Sequence, residues 1–156
     1  MFLVNGLAIA IIASIIGFIY SRLLPYNFRW FMQLRRPRWL KIEPLIPFIW
    51  IFIFICGIGS ATFVWQAQPN QVGLLMAGYG ILELLILSYT PVLCRLRSLT
   101  AGTIVGALGF VWGAFLTSQV GQISKEAELL LLPFLLWSPI GTYVTWAMIR
   151  LNPGAR

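Results

Sequence analysis

The sequence predicts an all-α integral membrane protein, a bundle of five transmembrane helices. Its 156 residues are 60% hydrophobic and only 10% charged, which is more apolar surface than a soluble domain of this size buries. A helix that crosses a bilayer needs about twenty apolar residues. Five stretches qualify: 2–20, 45–65, 72–94, 99–120 and 129–149. Their connections are short, so we expect one domain over residues 1–156, with loop 21–43 as a cytoplasmic lid.

The basic residues predict the orientation of the bundle. Of the eleven Lys and Arg residues, all except Lys125 fall on one side of the five-span arrangement. The positive-inside rule makes that side cytoplasmic, with the N-terminus outside and the C-terminus inside. A basic belt of this kind favours anionic membrane lipid as a partner rather than nucleic acid. Span one lacks the basic segment and cleavage site of a signal peptide, so we expect a retained helix. With no transit peptide visible, a bacterial cytoplasmic membrane is the expected location.

Spans one and four each carry a stripe of small residues on one helical face. Small residues let helix backbones approach closely inside a membrane. Two interpretations stay open: packing within the monomer, or the seam of a homodimer. The stripes are Gly6, Ala10, Ala13 and Gly17 in span one, and Gly102, Gly106, Gly109 and Gly113 in span four.

The loop before span two is basic and aromatic, and span two continues the aromatic pattern. Trp30 and Trp39 are either interfacial anchors, where indole rings are favoured, or parts of a lid over a pocket. In span two, Trp50, Phe54 and Gly57 share one helical face. A glycine beside aromatic rings leaves room for a flat molecule or for a neighbouring helix.

Spans three and five supply the remaining candidate residues. Span three contains Glu83, the only acid deep within a span, and such residues are functional candidates by default. A hydrogen bond to Tyr79, a protonated carboxyl, a proton-linked role and a contact with a ligand all stay open. Span five presents Phe134, Trp137 and Gly141 on one face.

Metal and redox sites are not expected. Cys56 and Cys94 lie inside different spans, so a disulfide is not predicted. The chain has no histidine, no metal-ligand spacing and no nucleophile–base pair. We therefore predict no catalytic residue, no metal and no intrinsic cofactor.

Several motifs resemble the translocator protein family, also called tryptophan-rich sensory proteins (TspO). Span three ends Tyr-Thr-Pro-Val at 89–92, close to the family's Trp-Thr-Pro-Val, and span five reads Pro-Phe-Leu-Leu-Trp at 133–137, close to Pro-Tyr-Leu-x-Trp. The chain then ends 150–152 as Arg-Leu-Asn, as members often do. The first-loop pattern of the family is matched without gaps by Trp30, Leu34, Pro37, Trp39, Pro47 and Trp50.

The resemblance implies a five-helix bundle, usually dimeric, with a pocket between the helices under the first loop. Members bind porphyrins and related tetrapyrroles, and some bind sterols. Trp50 and Trp137 match pocket tryptophans, and Trp30 and Trp39 match loop positions near the ligand. The light- or oxygen-dependent breakdown of porphyrin associated with some members is left open for this chain.

This sequence departs from the family pattern on the span-three wall. Ile86 and Leu82 stand where an asparagine and a glutamine are common, and Tyr89 replaces a tryptophan. These changes make the expected pocket less polar. A tyrosine-type sterol pattern matches only residues 24–29, so a sterol ligand has little support.

Together these observations predict a membrane-embedded receptor for a hydrophobic, tetrapyrrole-like ligand. Aromatic faces stack on a flat ring, and guanidinium groups grip carboxylates. The alternative is a small proton-coupled exporter of lipophilic cations that uses Glu83. The predicted ligand-binding residues are Trp30, Trp39, Trp50, Phe54, Tyr89, Phe134, Trp137 and Gly141, with Arg35, Arg36 and Arg38 for the ligand's carboxylates.

Overall fold

A computed structural model describes residues 2–23, 28–67 and 72–155, and across those ranges it contains helices and turns but no strand. Five helices are long and apolar enough to cross a bilayer, which confirms the predicted all-α five-span bundle. The orientation of its termini stays a prediction. The helices are α1 (Phe2–Leu23), α2 (Phe28–Met32), α3 (Ile46–Ala67), α4 (Val72–Leu96), α5 (Leu99–Gly121) and α6 (Lys125–Leu151), with 3-10 turns at Glu43–Leu45 and Pro153–Ala155.

A polar cap sets the start of α6 ahead of the apolar stretch from which the span was predicted. The Ser124 Oγ accepts a hydrogen bond of 3.1 Å from the amide of Ala127. That amide would otherwise have no partner in the first turn of the helix. Glu126 and Glu128 place negative charge at the positive end of the helix dipole. The helix therefore begins at Lys125, at the end of the bundle opposite the first loop.

The helices are packed to different extents. The α5–α6 interface is the most extensive, followed by α4–α5 and α3–α6. Helix α1 lies against α3 and, over a smaller contact, against α4, and none of its side chains from residue 2 to 22 is buried. Near the start of α1, a Cβ built on Gly6 would lie 3.3 Å from Thr62 Oγ1 of α3. Helix α1 is therefore the least embedded of the five spans.

The glycine stripe of α5 lies inside the bundle. At each glycine, the position of a missing Cβ is approached by a side chain from α4 or α6. Packing within the monomer therefore uses this stripe, while the homodimer stays a prediction. Leu93 and Leu85 of α4 face Gly102 and Gly109, and Thr142 and Phe134 of α6 face Gly106 and Gly113.

We expect Gly113→Ala to destabilise the bundle. The added Cβ would lie 2.9 Å from Cδ1 of Phe134 and closer still to Cε1, so ring and helix must shift. Overpacking of this kind costs about 1–3 kcal/mol. The matched control is Gly80→Ala in α4, where a Cβ would meet nothing within 4 Å. Thermal unfolding in detergent should place the Gly113 variant well below the control, and equal melting temperatures would contradict the tight fit.

The first loop packs across the end of the bundle where α4 and α6 finish and α5 begins. A small apolar cluster there is formed by Leu93, Cys94, Leu99, Met148 and Ala155. Trp30, Phe31 and Leu34 of the loop pack against this cluster. The loop is thus attached to the bundle by its own aromatic side chains, at the end that also carries Arg95 and Arg150.

A side-chain clasp fastens this loop to the end of α6. The Arg35 amide donates to Asn152 Oδ1 at 2.9 Å, and Asn152 Nδ2 donates to the Arg35 carbonyl at 3.0 Å. The same Nδ2 also donates to the carbonyl of Met148 at 2.9 Å. One asparagine therefore satisfies both backbone groups of a loop residue and holds the loop against the helix end.

We expect Asn152→Ala to loosen the loop. Each neutral hydrogen bond contributes about 0.5–1.5 kcal/mol, so losing both bonds to Arg35 should speed exchange of its amide hydrogen roughly tenfold. Asn152→Asp keeps the acceptor for that amide but loses the donors. Its exchange rate at Arg35 should therefore lie between those of wild type and Asn152→Ala. Hydrogen–deuterium exchange followed by mass spectrometry measures the effect. Identical exchange at residues 34–36 in wild type and Asn152→Ala would show that the clasp is unimportant.

Candidate ligand cavity

A cavity of about 90 Å³ lies between α1, α3, α4 and α6. Its wall is almost entirely apolar, with Glu83 as the one ionisable carboxyl among the lining residues. Helix α1 closes one side through Ile9 and Ala13. The other lining residues are Ile53, Phe54, Gly57, Ile58 and Ala61 of α3, Tyr79, Leu82, Glu83 and Ile86 of α4, and Leu130, Leu131 and Phe134 of α6.

The structure brings four of the predicted aromatic residues to the cavity or to the core beside it. Phe54 of α3 and Phe134 of α6 line the cavity itself. Trp50 lies one turn from Phe54, with ring centroids 6.3 Å apart and planes tilted by 42°. Trp50 and Trp137 are half-buried and pack against the apolar core that contains Phe134 and Leu82. Their rings therefore contact the interior of the bundle.

Small residues make the space in this wall. A Cβ built on Gly57 would meet nothing within 4 Å, so the helix presents bare backbone to the cavity. Gly57 and Ala61 share the helical face of Trp50 and Phe54, which was visible in the sequence. The α1 residues Ile9 and Ala13 were missed as lining residues, because the small-residue stripe of span one gave no indication of which neighbour it faces.

The polar groups at the cavity do not form the hydrogen bond between Glu83 and Tyr79 that the sequence left open. The Tyr79 hydroxyl lies 2.6 Å from Ser60 Oγ, and Ser60 Oγ donates to the carbonyl of Ala127 at 2.7 Å. The Tyr79 proton is thereby directed to Ser60 rather than to Glu83. Within the described ranges no protein group forms a hydrogen bond or ion pair with Glu83. These hydrogen bonds join α4, α3 and α6 near the end of the bundle where α6 begins. They leave the carboxyl of Glu83 without a protein partner among the described residues.

Another group of predicted residues lies at the loop end instead of the cavity. Trp30 and Tyr89 pack against the apolar cluster beneath the loop. The Tyr89 hydroxyl hydrogen-bonds Thr145 Oγ1, which in turn donates to the carbonyl of Gly141 at 3.2 Å. Tyr89 therefore links α4 to α6 at the loop end of the bundle, and the carbonyl of Gly141 accepts the next hydrogen bond in this series.

Trp39 lies on the outer surface of the bundle. Its side chain is 54% exposed, and its ring centroid lies 5.9 Å from that of Tyr143 on the outer face of α6. This position fits the interfacial-anchor interpretation better than contact with a ligand between the helices. Most of the sterol pattern at 24–29 lies outside the described residues.

The three predicted arginines differ in their availability. Arg36 Nε lies 3.1 Å from Glu43 Oε1, and its guanidinium carbon lies 4.2 Å from the centroid of the Phe31 ring. The charge of Arg36 is thus already paired with Glu43, and its guanidinium group already lies over the ring of Phe31. Arg35 and Arg38 are exposed beside it. These two guanidinium groups are the better placed to meet an incoming carboxylate.

The whole bundle, from α1 to the end of α6, matches a known family. The TspO/MBR family profile matches residues 6–151. The chain belongs to the TspO/MBR family. This confirms the resemblance given by the first-loop, span-three and span-five motifs.

Named relatives of this TspO/MBR chain come from three bacteria. It is 27% identical over 143 residues to the tryptophan-rich protein TspO of Chlorobaculum tepidum, covering 88% of this chain and 89% of that protein. Identity to TspO of Bacillus cereus is 24% over 139 residues, with 86% and 88% covered. The uncharacterized membrane protein YtaB of Bacillus subtilis is 24% identical over 152 residues, with 96% and 97% covered.

Proposed function

We propose that this integral membrane protein binds a planar hydrophobic ligand of the tetrapyrrole class between its helices. The observation that carries the proposal is that Phe54 of α3 and Phe134 of α6 both line the cavity, with Trp50 and Trp137 packed against the adjacent core. Offset aromatic pairs contribute about 0.5–1.5 kcal/mol each beyond the burial of their area. Aromatic rings on two different helices can hold a flat molecule from both sides.

Binding a tetrapyrrole requires the cavity to widen. Sites for drug-sized ligands occupy about 300–1,000 Å³, whereas the cavity measures about 90 Å³. Helix α1 covers the gap between α3 and α4 and has no buried side chain from residue 2 to 22. Its displacement is therefore the opening that disturbs the core least. The apparent affinity equals the intrinsic affinity of the open bundle multiplied by the fraction of time that the bundle is open.

The loop end offers groups for the carboxylate tails of such a ligand. Arg35 and Arg38 are exposed there, and Arg36 becomes available when it separates from Glu43. A guanidinium holds a carboxylate through two parallel hydrogen bonds. In this proposal the ring occupies the widened cavity and its acidic edge points to the basic end of the bundle.

Direct titration tests the proposal. The protein in lipid nanodiscs is titrated with protoporphyrin, haem and a bilin, and tryptophan fluorescence and the ligand's absorption band are followed. Empty nanodiscs correct for partition into lipid, and a sterol serves as a hydrophobic ligand without a tetrapyrrole ring. We expect saturable quenching with a shifted absorption band for at least one tetrapyrrole. Only non-saturable partition, equal to that of empty discs, would refute the proposal.

Two further statements extend the same proposal. We propose a bacterial cytoplasmic membrane, because the relatives named above are bacterial TspO and membrane proteins. We also propose a homodimer, which the resemblance to the TspO family implies. The alternative predicted from the sequence, a proton-coupled exporter of lipophilic cations, is favoured by the position of Glu83 on the cavity wall. It requires efflux from proteoliposomes that is driven by a pH gradient and abolished in Glu83→Gln.

A further inference from the structure

Glu83 points to the interior of the bundle. Helix α4 exposes Leu74, Ile81 and Leu84 on its outer face, and Glu83 lies on the other side of the helix, on the cavity wall. It sits near the middle of the apolar span Val72–Leu96. A carboxyl at this depth is costly unless something compensates for it, and such groups mark sites for ions, protons or ligands.

The described part of the protein supplies no compensation for this carboxyl. The nearby Tyr79 hydroxyl is engaged with Ser60 at 2.6 Å. Every Lys and Arg side chain in the described ranges lies at a helix end or in a connection. The neighbouring lining residues on α4, Leu82 and Ile86, are hydrocarbon. The carboxyl of Glu83, which lines the cavity, therefore keeps acceptor capacity for a ligand.

The remainder of the wall selects the kind of group that could complete this site. A metal ion would need further ligands, and among the described residues no three acidic, histidine or cysteine side chains are grouped to hold one. Apart from Glu83 and the Tyr79 hydroxyl, the cavity is lined by apolar groups, among them the rings of Phe54 and Phe134. Aromatic faces attract a cation as well as an apolar body. The site suits one positive hydrogen-bond donor attached to a hydrocarbon.

We propose that the cavity is a binding site for a small lipophilic amine, whose protonated nitrogen donates a hydrogen bond to the carboxyl of Glu83. The apolar body of the amine lies against Ile53, Leu131 and Phe134. This goes beyond the tetrapyrrole proposal, because the cavity of about 90 Å³ takes a single ring or a short chain without any displacement of α1. The proposal depends on Glu83, an acid that lies outside the family motifs matched in span three.

The test compares two ligands of matched shape. The amine is butylamine and the neutral isostere is butan-1-ol, each titrated calorimetrically into protein-loaded nanodiscs, with empty discs as the blank. We expect wild type to bind the amine more tightly than the alcohol. Charge-assisted hydrogen bonds of this kind correspond to roughly a tenfold to hundredfold change in affinity. Glu83→Gln should remove that difference, since its amide keeps the shape but not the charge.

Two further variants keep the test decisive. Glu83→Asp retains the charge and should retain part of the preference for the amine, which separates charge from shape. Glu126→Gln removes an exposed acid at the far end of the bundle and should change nothing. Equal binding of amine and alcohol by wild type, or a preference that survives Glu83→Gln, would overturn the proposal. A wild type that binds a tetrapyrrole saturably but does not distinguish the amine from the alcohol would overturn this proposal alone, so its failure is distinguishable from failure of the tetrapyrrole proposal.

Discussion

Replacing both Trp50 and Trp137 by alanine should lower tetrapyrrole affinity by roughly tenfold to a hundredfold. The two indole rings pack against the core that borders the cavity. If each stacks on the ligand, the pair contributes about 1–3 kcal/mol beyond area burial, and about 1.4 kcal/mol corresponds to a factor of ten. The measurement is the absorption titration of the tetrapyrrole, because removing tryptophans alters the fluorescence signal itself.

The chain offers a matched control for this double variant. Trp65 and Trp146 are each 42% exposed on the surface of the bundle, so Trp65→Ala with Trp146→Ala removes the same number of indoles from surface positions. The control should keep wild-type affinity. If both double variants bind equally well, the pocket tryptophans do not contact the ligand.

A second pair of variants separates loss of contact from loss of fold. Truncating two half-buried tryptophans leaves space in the core, and such changes cost about 3–5 kcal/mol at fully buried positions. Trp50→Phe with Trp137→Phe keeps an aromatic ring at each position and most of the packing. Its tetrapyrrole affinity should fall between those of wild type and the alanine pair, at nearly wild-type melting temperature. A Phe pair that loses all binding while remaining folded would indicate that indole, and not simply an aromatic face, is required.

The span architecture was predictable because the bilayer demands long apolar helices with satisfied backbone groups. The five predicted spans all correspond to helices. The boundary error at α6 has a local cause. Ser124 and its neighbouring acids start a helix in polar sequence, where a search for apolar residues does not look.

The composition of the site was predictable only in part, because helices in lipid lack the polar face that orients helices in soluble proteins. Phe54 and Phe134 could be assigned to one site from helical spacing and family motifs. Their shared cavity with Ile9 of α1 could not, since sequence does not state which neighbour a small-residue stripe faces. The bond of Tyr79 to Ser60 was missed for the same reason: its partner lies on another helix.

Locking α1 to α3 should abolish tetrapyrrole binding if the cavity must open on that side. Gly6 and Thr62 offer the site for a lock, since a Cβ on Gly6 would lie 3.3 Å from Thr62 Oγ1 and 3.7 Å from Cγ2. Paired cysteines at such a separation are within reach of a disulfide. The variant is Gly6→Cys with Thr62→Cys, built in a background with Cys56→Ala and Cys94→Ala so that no other thiol competes.

The expected result is a redox-dependent affinity. The oxidised protein should show no saturable tetrapyrrole binding, because a cavity of about 90 Å³ cannot enclose four pyrrole rings while α1 remains in place. Reduction with a thiol should restore binding to the level of the cysteine-free background. The small amine proposed for Glu83 should bind in both redox states, since it fits the closed cavity. Tetrapyrrole binding that is the same in both states would show that α1 is not the moving element.

A second lock of the same chemistry supplies the control. Gly106 of α5 and Thr142 of α6 form another glycine–threonine approach, where a Cβ on the glycine would lie 3.4 Å from the threonine Cβ. This pair belongs to the most extensive interface of the bundle and lies outside the cavity wall. Oxidising Gly106→Cys with Thr142→Cys should therefore leave tetrapyrrole affinity unchanged. Because the two locks share chemistry and differ only in the helix they restrain, a difference between them assigns the opening motion to α1.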